Sequence, residues 1–217
     1  MKKFLKILAI VLFVLIGVGY AGFTIINQPL PEGKPGPEAE KLTDQMFTAL
    51  NKQAYDSVRY IEFSFRGVHT HQWDRANKKV TVFWDDQKVE VDLSVGPDNY
   101  SDLEYTAYKY FINDSFWLVA PFKAKDDGVT RAVVEVEGGN GLLVSYSSGG
   151  VTPGDSYLWI LDDNGFPLAW KLWTSNVPIG GLQFSWDRWE DTQGVYFSTL
   201  HKSTILELDI SNLRVSY

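Results

Sequence analysis

The stretch "PLAWKLWTSNVPIGGLQFSWDRW", residues 167–189, decides how the chain is read. It carries Trp170, Trp173, Trp186 and Trp189 on two segments joined by a loop containing Pro178, Gly180 and Gly181. Phe166, Leu168, Trp170 and Leu172 occupy alternate positions of the first segment, and Leu182, Phe184 and Trp186 those of the second. Period two is the side-chain repeat of a strand with one buried face. Paired as a hairpin, the segments make a continuous aromatic and aliphatic wall.

Working outward, the same alternation recurs. "RYIEFSFR" sets Ile61, Phe63 and Phe65 against Glu62, Ser64 and Arg66. Val80, Val82 and Trp84 share a face, answered by Val89, Val91 and Leu93 across the Asp85-Asp86-Gln87 turn. Ala132, Val134 and Val136, then Leu142, Val144 and Tyr146, then Leu206, Leu208 and Ile210 repeat the theme. In all, about ten or eleven runs read as strands, and their short turns predict an antiparallel meander. Two segments break the pattern. From Pro37, Ala39, Leu42, Met46 and Leu50 recur at helical spacing, a proline-led amphipathic helix of about 15 residues. "NYSDLEYTAYKYFIND", residues 99–114, reads as a second helix with Leu103, Ala107 and Phe111 on one side.

Counting cover predicts a cavity. Ten strands at about 4.8 Å spacing make a sheet roughly 45 Å wide, whereas one packed helix covers about 10 Å. Two or three helices cannot close that face, so the expected fold is mainly β (α+β): a strongly curved, half-barrel-like antiparallel sheet. Its wall would be Phe63, Trp84, Trp170, Phe184 and Trp186. A sheet split into two stacked layers would instead bury these residues against one another.

The ends of the chain bear on location. Lys2, Lys3 and Lys6 precede an uncharged run from Ile7 to Ile26. Twenty such residues in a helix span a bilayer's hydrocarbon core, and the lysines place the N-terminus in the cytoplasm. Residues 1–26 are therefore expected to be a membrane anchor or uncleaved signal, with the folded part in the periplasm. The competing reading is a signal cleaved near Gly19 or Ala21, leaving a secreted protein. Residues 27–36, rich in Pro and Gly, read as a linker, and residues 37–217 as the sheet domain. The net charge of −7 argues against a nucleic-acid partner. The chain has no cysteine, which excludes disulfides, thiolate metal sites and a lipid-bearing N-terminal Cys.

Two motifs carry a resemblance. "FSWDRWEDTQGVYFS", residues 184–198, joins an aromatic strand to another through a turn ending at Gly194, and "YLWILDDNGFPLAWKLW", residues 157–173, contains an Asp-x-x-Gly-x-Pro hairpin. With the leading apolar segment, the amphipathic helix and the helix-interrupted meander, residues 37–210 resemble the bacterial lipoprotein-carrier fold, the family of the lipoprotein localisation factors. The resemblance implies a half-open barrel with helices as a lid over a cavity that holds acyl chains. A retained anchor and the missing lipid-bearing Cys point to a tethered binder rather than a shuttle. No family arginine role is carried onto Arg59, Arg66 or Arg75.

Candidate chemistry is sparse. His69 and His71 lie two apart on one strand face, a geometry that can grip a metal, but no third ligand is evident. Polar packing beside Trp73 is expected there, with no metal and no cofactor. The acidic pairs Asp85-Asp86, Asp126-Asp127 and Asp162-Asp163 fall beside turns, and "DDNG" is hairpin chemistry. "SSGGVTPGDS", residues 147–156, lacks the spacing of a nucleophile elbow or phosphate loop and reads as a flexible loop at a cavity mouth. The expected function is non-enzymatic: binding or carrying a lipid or other apolar small molecule. The alternatives are an envelope interaction scaffold with a solid core and an envelope glycan hydrolase, which needs two carboxylates facing across a Trp-lined cleft.

Overall fold

The computed structural model describes residues 26–148 and 153–217, together with Phe13, Gly17 and Thr24. The anchor expected over residues 1–26 therefore lies outside the described residues at all but four positions. No helix among the described residues is long and apolar enough to cross a membrane.

Among the described residues, twelve strands form two antiparallel sheets rather than one. The five-stranded sheet is a plain meander of β5 (Val129–Val136), β6 (Gly139–Tyr146), β7 (Ser156–Leu161), β8 (Pro167–Trp173) and β9 (Leu182–Ser185). The seven-stranded sheet contains β1 (Tyr60–Phe65), β2 (His69–Asp74), β3 (Lys79–Trp84), β4 (Gln87–Asp92), β10 (Asp187–Thr192), β11 (Val195–Lys202) and β12 (Glu207–Ser216). Its order, β10-β11-β12-β1-β2-β3-β4, sets the last strand beside the first, with Ile61 opposite Val215. Neighbour-to-neighbour alternation could not foresee that pairing, because it joins residues at opposite ends of the domain. Neither sheet closes into a barrel.

The hairpin of the opening stretch forms in the expected register, with Trp170 opposite Phe184 and Leu172 opposite Leu182. One position departs. Between the pairs Ile160–Ala169 and Leu161–Pro167, β8 carries an extra residue, Leu168. A bulge leaves such a residue outside the ladder, and Leu168 is 52% exposed instead of joining the wall. Its carbonyl accepts the N–H of Trp186 at 2.8 Å, which fixes the corner where the chain leaves the five-stranded sheet for the seven-stranded one.

Three helices fill the space the sheets leave: α1 (Pro37–Ala49), α2 (Lys52–Ser57) and α3 (Asp102–Val119). In α1, Ala39, Thr43 and Met46 are buried. Asn51 turns the chain into α2 from the left-handed region, its side chain accepting from Ala54 N–H and donating to the Gly194 carbonyl at 2.6 Å. A capping box of Ser101 and Glu104 starts α3. The helix runs past residue 114 to Val119, so its buried face is Ala107, Phe111, Asp114, Ser115, Leu118 and Val119, while Leu103 stays exposed. Through these residues α3 touches both sheets.

The segment read as a linker lies as a strap on the sheet domain. Gln28 N–H donates to the Gly180 carbonyl (2.9 Å), Gly180 N–H to Asn27 Oδ1 (2.7 Å) and Trp173 Nε1–H to the Gln28 carbonyl (2.8 Å). The chain then crosses the outer face of the five-stranded sheet to a bridge between Lys34 and Val133. Under it lie Val134, Leu143 and Leu158, a small apolar cluster. The crossing is close: a Cβ at Gly33 would stand 2.6 Å from that of Ala132. Proline and glycine here suit an extended run laid flat on a sheet, a use their composition does not separate from a flexible tether.

Candidate functional site: an aromatic cavity under helix α3

A cavity of about 360 Å³ opens between the C-terminal half of α3 and the inner face of the five-stranded sheet. Pockets that enclose small ligands span about 300–1,000 Å³. The wall is built by alternation on three strands, Tyr146 from β6, Tyr157 from β7 and Trp170 and Leu172 from β8, facing Phe116 and Trp117 of α3. Their rings interlock. Tyr157 stacks on Trp170 at 4.6 Å, Trp117 meets Trp170 edge-on at 5.0 Å, and Phe116 contacts Tyr146, Tyr157 and Trp170.

The rim is polar. Lys123, Asp126, Asp127, Ser148, Asp155 and Asn176 contribute to it. Lys123 pairs with Asp126 at 2.5 Å. The Asp155 carboxylate accepts from Ser175 N–H (3.2 Å) and from the Tyr157 hydroxyl (3.3 Å). Asp126 and Asp127 against the single Lys123 ammonium give the mouth an acidic character. Burial raises the pKa of the Tyr146 and Tyr157 hydroxyls, the dominant cause in both, so both remain protonated donors. Two polar atoms of the wall, Tyr146 Oη and Trp170 Nε1, are buried with no hydrogen-bond partner among the described residues. A buried unpaired donor costs about 1–3 kcal/mol.

Of the five residues expected to form a wall, Trp170 lines this cavity. The other four are distributed elsewhere. Phe184 and Trp186 form the layer behind it, with Trp117 4.9 Å from Phe184 and Trp170 5.0 Å from Trp186. Phe63 is fully buried and stacked on His71 at 4.8 Å, and Trp84 packs edge-on against Tyr110 at 5.5 Å in the separate cluster around Val80 and Val82. Face periodicity marks which residues turn inward but not which stretch of the interior stays unfilled. Trp159, fully buried between Trp170 and Trp186, completes the back layer. Phe116 and Trp117 escaped notice because the second helix was expected to end before them, and they stand off the face that Phe111 shares with Ser115 and Leu118. Ser148 and Asp155 bring both described ends of the 147–156 loop to the mouth, as expected from its composition.

The histidine pair also acquires a partner absent from the sequence reading. Asp114 of α3 faces His69 and His71 of β2, its Oδ2 lying 2.7 Å from His69 Nδ1 and 2.8 Å from His71 Nε2. Its other oxygen accepts from Asn113 Nδ2 at 3.0 Å. The expectation of no third ligand is thus corrected: helix and strand meet only in the tertiary fold. His201, the remaining histidine, is buried against Trp186 (4.4 Å) and Trp117 (5.4 Å) and shares no contact with this group.

No protein-family model matches the chain, and no curated protein matches it. Among solved structures, it is similar to the crystal structure of a DUF1329 family protein from Desulfovibrio piger, at 12% identity and a TM-score of 0.39, over 82% of this chain and 93% of that one. A likeness of that size assigns neither a family nor a function.

Proposed function

We propose that this chain is a membrane-tethered envelope protein that binds a lipid or other apolar small molecule, without chemistry, in the cavity under α3, on an architecture of the lipoprotein-carrier kind. The observation that carries the reading is the wall of Tyr146, Tyr157, Phe116, Trp117 and Trp170 around about 360 Å³, with Tyr146 Oη and Trp170 Nε1 unpaired among the described residues. An apolar ligand removes that surface from water. The acidic rim disfavours a free carboxylate at the mouth, so the expected ligand has a neutral, zwitterionic or cationic polar end.

The strap supports the tethered reading. Asn27 and Gln28 directly follow the apolar run and are held by Gly180, in the same β8–β9 loop that contributes Thr174, Asn176 and Val177 to the cavity lining. An anchor ending at Ile26 would keep the mouth within a few residues of the bilayer surface, the source of a lipid ligand.

The test is native mass spectrometry of the full-length chain from a bacterial membrane fraction, with organic extraction of whatever accompanies it. A stoichiometric lipid-like mass is expected. A ligand-free chain that still takes up no phospholipid, amine-headed lipid or fatty acid from vesicles overturns the proposal in favour of a solid scaffold.

A further inference from the structure

The geometry points to a divalent-cation site at His69, His71 and Asp114, and we propose that this triad binds one borderline first-row ion of the zinc class. It rests on different side chains from the aromatic wall, although Asn113 and Ser115 beside Asp114 also line the cavity, and it holds whether or not the cavity takes a lipid. The strand's period of two puts both imidazoles on the face of β2 that meets α3. His69 Nδ1, His71 Nε2 and an Asp114 carboxylate oxygen lie within 4.8 Å of one another. Both imidazoles converge on the same oxygen, Oδ2.

The donors are held in place before any ion arrives. His69 stacks on Tyr110 at 4.1 Å and His71 on Phe63 at 4.8 Å, which fixes both ring planes. Asn113 Nδ2 occupies Asp114 Oδ1 and leaves Oδ2 for the shared point. Asp114 and His71 are almost wholly buried, whereas the His69 side chain is 18% exposed, so an ion enters past His69.

Two nitrogens and one oxygen without sulfur suit zinc, cobalt or nickel better than calcium or magnesium, which favour oxygen alone. Three protein ligands leave a position for water. Tetrahedral bonds of about 2.0–2.1 Å set neighbouring donor atoms about 3.3 Å apart, so both imidazole nitrogens must part from Oδ2 by about half an ångström when an ion enters. The alternative, a purely hydrogen-bonded strut, needs an N–H on His69 Nδ1 and on His71 Nε2 and strands His71 Nδ1, buried with no partner among the described residues. Binding an ion moves the His71 proton to Nδ1, which then also lacks an acceptor. Metal-bound histidines usually donate that proton, an outer contact worth about 10–100-fold in affinity. The site is therefore weaker than a structural zinc centre.

The experiment is titration of the metal-stripped full-length chain with Zn²⁺ by calorimetry and with Co²⁺ by visible absorption, beside His69→Gln and Asp114→Asn. Near- and far-ultraviolet circular dichroism checks each fold. One ion per chain is expected, with affinity more than tenfold lower in both variants and the cobalt band lost. His69→Gln, at a partly exposed position, carries the test if Asp114→Asn does not fold. Absence of saturable binding, or binding equal in wild type and folded variants, overturns the site and leaves the triad as a strut.

Discussion

Trp170 and Trp186 meet edge to face with ring centroids 5.0 Å apart, yet only Trp170 borders the cavity; Trp186 closes the corner between the sheets. Two neighbouring rings of one type thus hold different jobs, which separates ligand contact from core packing by substitution.

Trp170→Phe and Trp186→Phe should each cost about 1–3 kcal/mol of stability, since both shrink a buried ring in a packed layer. Only Trp170→Phe is expected to weaken ligand binding, by about tenfold (~1.4 kcal/mol). Chemical denaturation and lipid-release assays on both variants decide it; equal loss of affinity in the two would remove Trp170 from the site.

Tyr146→Phe deletes a buried hydroxyl that has no partner among the described residues. The ligand-free protein should be as stable as wild type or more stable by up to about 1 kcal/mol, because no hydrogen bond is lost. Affinity for a ligand that uses this donor should fall. A lower melting temperature in the ligand-free variant would show that the hydroxyl is paired within the protein.

Acid should destabilise the fold in a window set by histidine. Burial lowers the pKa of His201 from 6.5 to about 4, and it lowers that of His71 too. Both rings are neutral in the folded state, so the unfolded chain takes up protons first as pH falls. The His201 contribution is complete above about 6.5 and is lost toward about 4, at a slope of about 1.4 kcal/mol per pH unit, and His71 acts in the same direction. Glu40 acts lower: its hydrogen bond from Arg131 depresses its pKa below 4.5, so its contribution fades only beneath that value. In denaturation midpoints measured across pH, His201→Phe should remove about one proton from the histidine window. An unchanged slope would mean that His201 is not buried neutral.

Gly33→Val tests the strap. Its Cβ would meet Ala132 Cβ at 2.6 Å and the Val133 carbonyl at 3.3 Å, so the segment must lift from β5. Limited proteolysis should cut residues 27–36 faster in the variant, while the melting temperature moves by a few degrees at most, because the shared core lies on the other face of the sheet. Identical cleavage would return the segment to a free linker.

The sequence alone determined most of the strands, α1, the first part of α3 and the hairpin that pairs Trp170 with Phe184, because alternation and helical spacing are local and each follows from which face of an element meets water. It also carried the strap's glycine and the loop at the mouth, though not their use. Only the tertiary structure decided the rest. The single curved sheet became two because α3 separates β4 from β5 and the corner at Trp186 takes the chain away from β9, while β12 returns to β1; the bulge at Leu168 turned that side chain out of the wall. The cavity settled at Trp170 rather than among all five wall residues because α3 extends to Val119, covering some inward faces and leaving others open. Asp114 reached the histidines by the same helix, across more than forty positions of chain. Such contacts depend on where elements dock, and docking is settled by the packing of many side chains at once, which no short window of sequence contains.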